Sequence, residues 1–184
     1  RTEENKNKTG KGGGVSGKMR IGSFSHMTYK EFLTSKIEIA KDSGFEISDS
    51  EINPALKPHQ RDAVRWALKG GRRALFESFG LGKTVQELEF CHQVVRRLGG
   101  KALIVCPLGV RQEFIRDAAE ILGYEAPVYV RTMEEGRDTE GKILLTNYER
   151  VRDGDIRPEF FMATALDEAS VLRSFGSYPV AQPV

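Results

Sequence analysis

The run Gly80-Leu-Gly-Lys-Thr84 brings together the residue types that hold a chain of phosphates. Gly80 and Gly82 have no Cβ, so the backbone on either side of Leu81 can turn tightly and aim successive N–H groups at anionic oxygens. A helix starting at the loop adds its positive end. Lys83 supplies a point charge suited to β- and γ-phosphates, and the Thr84 hydroxyl suits Mg²⁺. The widespread form of this loop, G-x-x-x-x-G-K-[ST], begins with a glycine, and here Glu77 stands in that place. A second chemical pair, Asp167-Glu168, follows about 80 residues downstream at the end of the apolar run Met162-Ala-Thr-Ala-Leu166. Two carboxylates in such a place serve phosphoryl transfer to water: Asp167 to hold Mg²⁺, and Glu168 to orient the attacking water. The pattern calls for ATP and Mg²⁺.

Elements that position these groups are legible from periodicity. Arg73-Ala-Leu-Phe76 reads as a short buried strand entering the loop. After the loop, Val85, Leu88, Cys91, Val95 and Leu98 recur at helical spacing as far as the Gly99-Gly100 stop. Strands follow at 102–106, 128–130, 143–146 and 161–166, with helices at 111–122 and about 148–153. A further helix, His59 to Leu68, precedes the loop. Continuous apolar strands separated by helices specify an α/β fold with a parallel sheet covered on both faces, and a ligand site at the carboxyl ends of its strands.

The chain has 184 residues, 39% hydrophobic and 29% charged, an ordinary composition for one domain with a real core. No apolar run approaches membrane length and the start carries no signal peptide, so a cytoplasmic location without membrane contact is expected. Cys91 and Cys106 read as core thiols. Residues 1–20 hold six Lys/Arg against two Glu, which leaves the remainder at a formal −2. A nucleic-acid footprint must therefore come from local clusters, for which Arg72-Arg73, Arg96-Arg97 and Arg111 with Arg116 qualify. The expected organisation is a disordered lead-in over 1–20, with Met19 as a possible true start. An accessory helical segment and linker cover 21–54, opened by the capping box Thr28-Tyr-Lys-Glu31. A nucleotide-binding lobe covers 55–177, and a tail 178–184.

Five motifs in order carry a resemblance: Leu56-Lys-Pro-His-Gln60, FGLGKT, ALIVCPLGV, LLTNYERV and LDEAS. From about Leu56 to Ser174 the chain resembles the first, RecA-like lobe of superfamily 2 helicases. The likeness is greatest to the Snf-type DNA translocases and their phage-encoded members, some of which are joined to DNA methyltransferases. In that superfamily the first motif is x-x-x-G-x-G-K-T, which accounts for Glu77. The resemblance implies that Gln60 reads the adenine edge. It also implies that Pro107-Leu108-Gly109 and Thr146-Asn147-Tyr148 lie in loops touching a nucleic-acid backbone, with DNA, double-stranded in the full motor, as the partner.

Two departures accompany it. Ser170 replaces the usual His or Asp of the acidic box, which puts in doubt the link from nucleotide state to later motifs. The third to sixth motifs and the second RecA-like lobe are not found, so the expected function is that of an N-terminal ATP-binding lobe ending after the acidic box, with Lys83 and Glu168 as its catalytic pair. Arg173 is too close to the acidic pair to stand in for the second lobe's arginines. On this reading Mg-ATP binds and is hydrolysed little. The alternative is a nucleotide-binding or interaction module that does not turn over ATP.

Overall fold

Leu103, Ile104, Leu144 and Leu145 are fully buried, and their two runs form the centre of a parallel sheet. The computed structural model describes residues 42–78 and 80–170, all within the second of two units, Arg1–Ile39 and Ala40–Val184. The lead-in, the helix expected from Thr28, Arg173 and the tail lie outside the described residues.

In chain order the elements are α1 (Pro58–Gly70), α2 (Lys83–Leu98), β1 (Ala102–Val105) and α3 (Arg111–Asp117), which runs on into a π-helical turn at Ala118–Leu122. Then follow β2 (Val128–Tyr129), α4 (Met133–Asp138), β3 (Ile143–Thr146), α5 (Tyr148–Arg152) and β4 (Ala163–Leu166). The sheet order is β2-β3-β1-β4, with all three pairings parallel. Parallel neighbours require crossover connections, and each here carries at least one helix. β1 and β3 are buried along their whole length, as continuous apolar runs must be when both faces are covered. β4 is only half covered, and Leu166 is exposed, so coverage of both faces does not extend to that edge.

The strand expected at 73–76 is not part of this sheet. Residues 73–78 have no ladder partner among the described residues, Leu75 is exposed, and Phe76 is 97% exposed. A strand is held by a neighbour's N–H and C=O groups, and β4 pairs on one side only, with β1. Arg73 is engaged elsewhere, by an ion pair to Asp42 and by stacking its guanidinium on Trp66.

α2 crosses the sheet and is fixed from behind by a buried carboxylate. Glu89, fully buried, accepts hydrogen bonds from Asn53 N (3.1 Å), Gln93 Nε2 (2.7 Å) and the Tyr124 hydroxyl (2.5 Å). The Tyr124 ring is in turn stacked on His92 at 3.9 Å. A buried charge with three donors is compensated, and removal of one donor is costly. Tyr124→Phe is expected to destabilise the fold by about 1.5 kcal/mol, read as a lower denaturant midpoint at unchanged slope. Among the described residues no helix is long and apolar enough to cross a membrane.

Candidate functional site

The glycines of the loop do what their position requires. Gly80 has φ 83° in open space, and Gly82, with φ 78°, is the residue from which α2 starts. The left-handed φ of Gly82 disfavours any side chain, and a Cβ there would also lie 2.3 Å from Gln60 Nε2, disturbing the amide that holds the loop. No side chain caps the amino end of α2, and its 16 residues direct a positive terminus at the loop.

The loop is braced by amides. Gln60, buried in α1, donates from Nε2 to the Leu81 carbonyl (2.9 Å) and accepts from Lys57 N (2.9 Å). Gln86 donates to Glu77 Oε2 (2.8 Å) and reaches the same carbonyl at 3.4 Å. Glu77, at the position where a glycine is common, therefore has a structural partner on the first turn of α2. Gln60, expected at an adenine edge, has both ends of its amide occupied by the protein.

Lys83 and Thr84 are half-buried at the start of α2, and Lys83 makes no hydrogen bond or ion pair to a described residue. Across from it, Asp167 follows β4. Its N–H donates to Val105 O (2.9 Å), which carries the β1–β4 ladder one residue further, and its carbonyl accepts from the Tyr148 hydroxyl (2.5 Å). Burial raises the Asp167 carboxyl above its ordinary value, Glu168 adds to the rise, and the Lys83 charge opposes it. Glu168 is exposed and takes φ 57°, the one left-handed non-glycine among the described residues, where a Cβ meets steric resistance. The structure thus brings the loop and the acidic pair to one end of the sheet.

One residue of this site was not among those expected. Glu87 lies one helical turn beyond Lys83, and its Oε2 is shut off from solvent without a hydrogen-bond partner. Burial first, and then the Asp167 charge, push its carboxyl up to about 8, against the pull of Lys83. The available signal was its place on the line Lys83, Glu87, Cys91, which interrupts an apolar helix face with a carboxyl. Cys106 directly follows β1 and feels the same carboxyl groups. Burial, then Asp167 and Glu87, lift its thiol to about 12, so at neutral pH it is a core thiol and not a nucleophile, as expected.

The loops after β1 and β3 lie side by side, joined by Cys106 N to Thr146 O at 3.0 Å. Leu108 and Gly109 are exposed in a 3-10 turn and Pro107 is half-buried. Thr146 is fully buried, its hydroxyl donating to Val130 O, and Tyr148 is buried by its bond to Asp167. Of that triplet only Asn147 is near the surface, bonded to the Tyr129 hydroxyl and to Glu149. Arg111 lies over the Tyr129 ring at 4.8 Å, beside this surface. The other basic clusters are partly engaged in the fold: Arg96 pairs with Glu51, Arg97 covers Phe45, and Arg116 pairs with Asp117.

The fold, as distinct from the site, has a solved counterpart. The crystal structure of the UvsW helicase from bacteriophage T4 superposes with a TM-score of 0.53 at 15% identity, covering 80% of this chain and 52% of that one. The four-stranded parallel sheet with flanking helices thus shares its α/β fold with part of that helicase. The chain spans about half the length of that helicase. Comparison with protein-family models finds no match, and neither does comparison with curated proteins.

The sequence motifs lead to the expectation of a nucleoside triphosphate and Mg²⁺ at these residues, and their chemistry can be compared with that expectation. Gly80 and Gly82 give the loop its left-handed turns, Lys83 makes no ion pair with a described residue, and Glu87 has a buried oxygen without a partner. Among the described residues no three His, Cys, Asp or Glu form a ready metal cage.

Proposed function

We propose that this chain is an ATP-binding lobe of an ATP-dependent DNA helicase or translocase. The observation that carries the reading is the meeting of an unpaired Lys83, at the uncapped start of α2, with Asp167 at the end of β4. Gly80, Leu81 and Gly82 would present backbone N–H groups to the phosphates, Lys83 would neutralise their charge, and Thr84 with Asp167 would hold Mg²⁺. Bound Mg²⁺ supplies charge neutralisation for phosphoryl transfer. Glu168, the exposed carboxylate beside the metal ligand, would take the attacking water's proton. Gln60 would serve the nucleotide indirectly, by holding the loop through Leu81, and would read adenine only on release from that carbonyl.

Pro107, Leu108, Gly109 and Asn147, with Arg111 alongside, form the surface proposed to track a DNA backbone. The Thr146 and Tyr148 side chains support it from within. The finer assignment, to a Snf-type, phage-encoded motor acting with a second lobe or a linked methyltransferase, rests on the five ordered sequence motifs, and a cytoplasmic location on the absence of a membrane-length apolar run. Calorimetric titration of ATP into the chain tests the core of the proposal. Saturable binding that tightens with Mg²⁺ is expected, and absence of binding at millimolar ATP would rule the reading out.

A further inference from the structure

Glu87 is out of place in an ordinary helix core. It stands on α2 between Lys83 and Cys91; the Asp167 charge is felt at its carboxyl, and its own charge is felt at Cys106, which follows β1, and at Tyr148. Its neighbour Glu89 shows how this protein treats a structural buried carboxylate, with three donors gathered around it. Glu87 receives no such treatment: Oε2 is sealed from solvent and has no donor among the described residues. Buried acceptors are rarely left so, and an orphan in a candidate site points to a group that arrives with the ligand. For the ionised carboxylate the missing partner is a donor, and the charges nearest in effect are those of Asp167 and Lys83.

With a divalent cation beside it the Glu87 carboxyl is favoured in its ionised form, in which both oxygens only accept, so a phosphate oxygen cannot fill the place. Direct ligation together with Asp167 and Glu168 is not prebuilt, because no cluster of three such side chains is close enough to hold a metal among the described residues. A hydrated divalent cation brings the required donors in its retained waters. We infer that Glu87 is a positioning residue for the cation, accepting a hydrogen bond at Oε2 from a metal-bound water while Thr84 and Asp167 hold the ion itself. The inference rests on the nucleotide-site reading and deepens it.

The test uses the whole chain with saturating ADP and Mn²⁺, following free Mn²⁺ by electron paramagnetic resonance. Glu87→Gln keeps the volume of the side chain and removes its negative charge. Loss of a hydrogen-bond partner to a metal's own ligands typically changes affinity 10- to 100-fold, so the variant should bind Mn²⁺ about 10-fold more weakly. Its affinity for ADP in EDTA should stay within about twofold of wild type, which a merely structural role could not guarantee. An unchanged Mn²⁺ affinity in Glu87→Gln, with Asp167→Asn weakening it, would overturn the inference and leave the site reading intact. Equal losses for Mn²⁺ and for ADP in EDTA would also overturn it, since Glu87 would then act on the fold. If neither Asp167→Asn nor Glu87→Gln altered Mn²⁺ affinity, the site reading itself would fall.

Discussion

In metal-free buffer the chain is expected to lose stability as pH rises from about 5 to about 8, and Glu87→Gln to abolish most of that loss. The folded-state carboxyl is raised from 4.5 to about 8. A group raised in this way holds its proton in the native state where the unfolded chain has released it, so the native state binds more protons throughout that window. Stability therefore falls with increasing pH, is full below about 4.5, and levels off once the folded group ionises. Each pH unit of separation is worth about 1.4 kcal/mol, and an effect on the order of 2–4 kcal/mol is expected across the window. Glutamine cannot ionise, so the variant should match wild type at pH 5 and exceed it at pH 8. Urea unfolding at the two pH values reads this directly. Parallel pH dependence in wild type and variant would mean that Glu87 is solvated.

Lys83→Ala is expected to weaken ATP binding by about 10- to 100-fold. Lys83 has no partner within the described structure, so its charge is free for an incoming anion and its loss leaves no internal ion pair broken. A charge-assisted contact is worth about 1.5–3 kcal/mol, which converts to that range of affinity. The fold should survive, since Lys83 is half-buried and sits at the helix start, not in the core. Fluorescence titration with a labelled ATP analogue, beside a thermal melt, separates the two effects. Unchanged affinity with an unchanged melt would remove Lys83 from the site.

Sequence pattern revealed the sheet better than it revealed the loop's surroundings. β1 and β3 were legible because strands covered on both faces must be apolar at every position, which is how ALIV and ILLT read. Arg73 to Phe76 carries a similar apolar signal, but composition reports only a preference for burial and says nothing of whether a pairing partner exists. α4 escaped because it has only six residues and little apolar periodicity. Its start was nevertheless written in Thr132-Met-Glu-Glu135, where the Thr132 hydroxyl accepts from Glu135 N and the Glu135 carboxylate accepts from Arg131 N.

The site was legible as far as residue types with a fixed chemical grammar go: the glycines, Lys83, Thr84, Asp167 and Glu168. Glu87 was not, because a carboxyl within a helix reads as a solvated face until packing shows which way it points. Gln60 and Tyr148 illustrate the converse. Each lies in a sequence motif that suggests ligand contact, and each spends its side chain on the backbone of another site element, Leu81 or Asp167.

The most direct measurement is residue-resolved: backbone amide chemical shifts of the isotopically labelled chain, recorded during titration with ATP in Mg²⁺. The account predicts that the largest changes fall on Gly80, Gly82, Lys83 and Thr84, with a second group at Asp167 and Glu168 that requires the metal. Changes confined to another surface, such as the cleft lined by His92, Arg96, Tyr124 and Lys142, or no change at millimolar ATP, would contradict it.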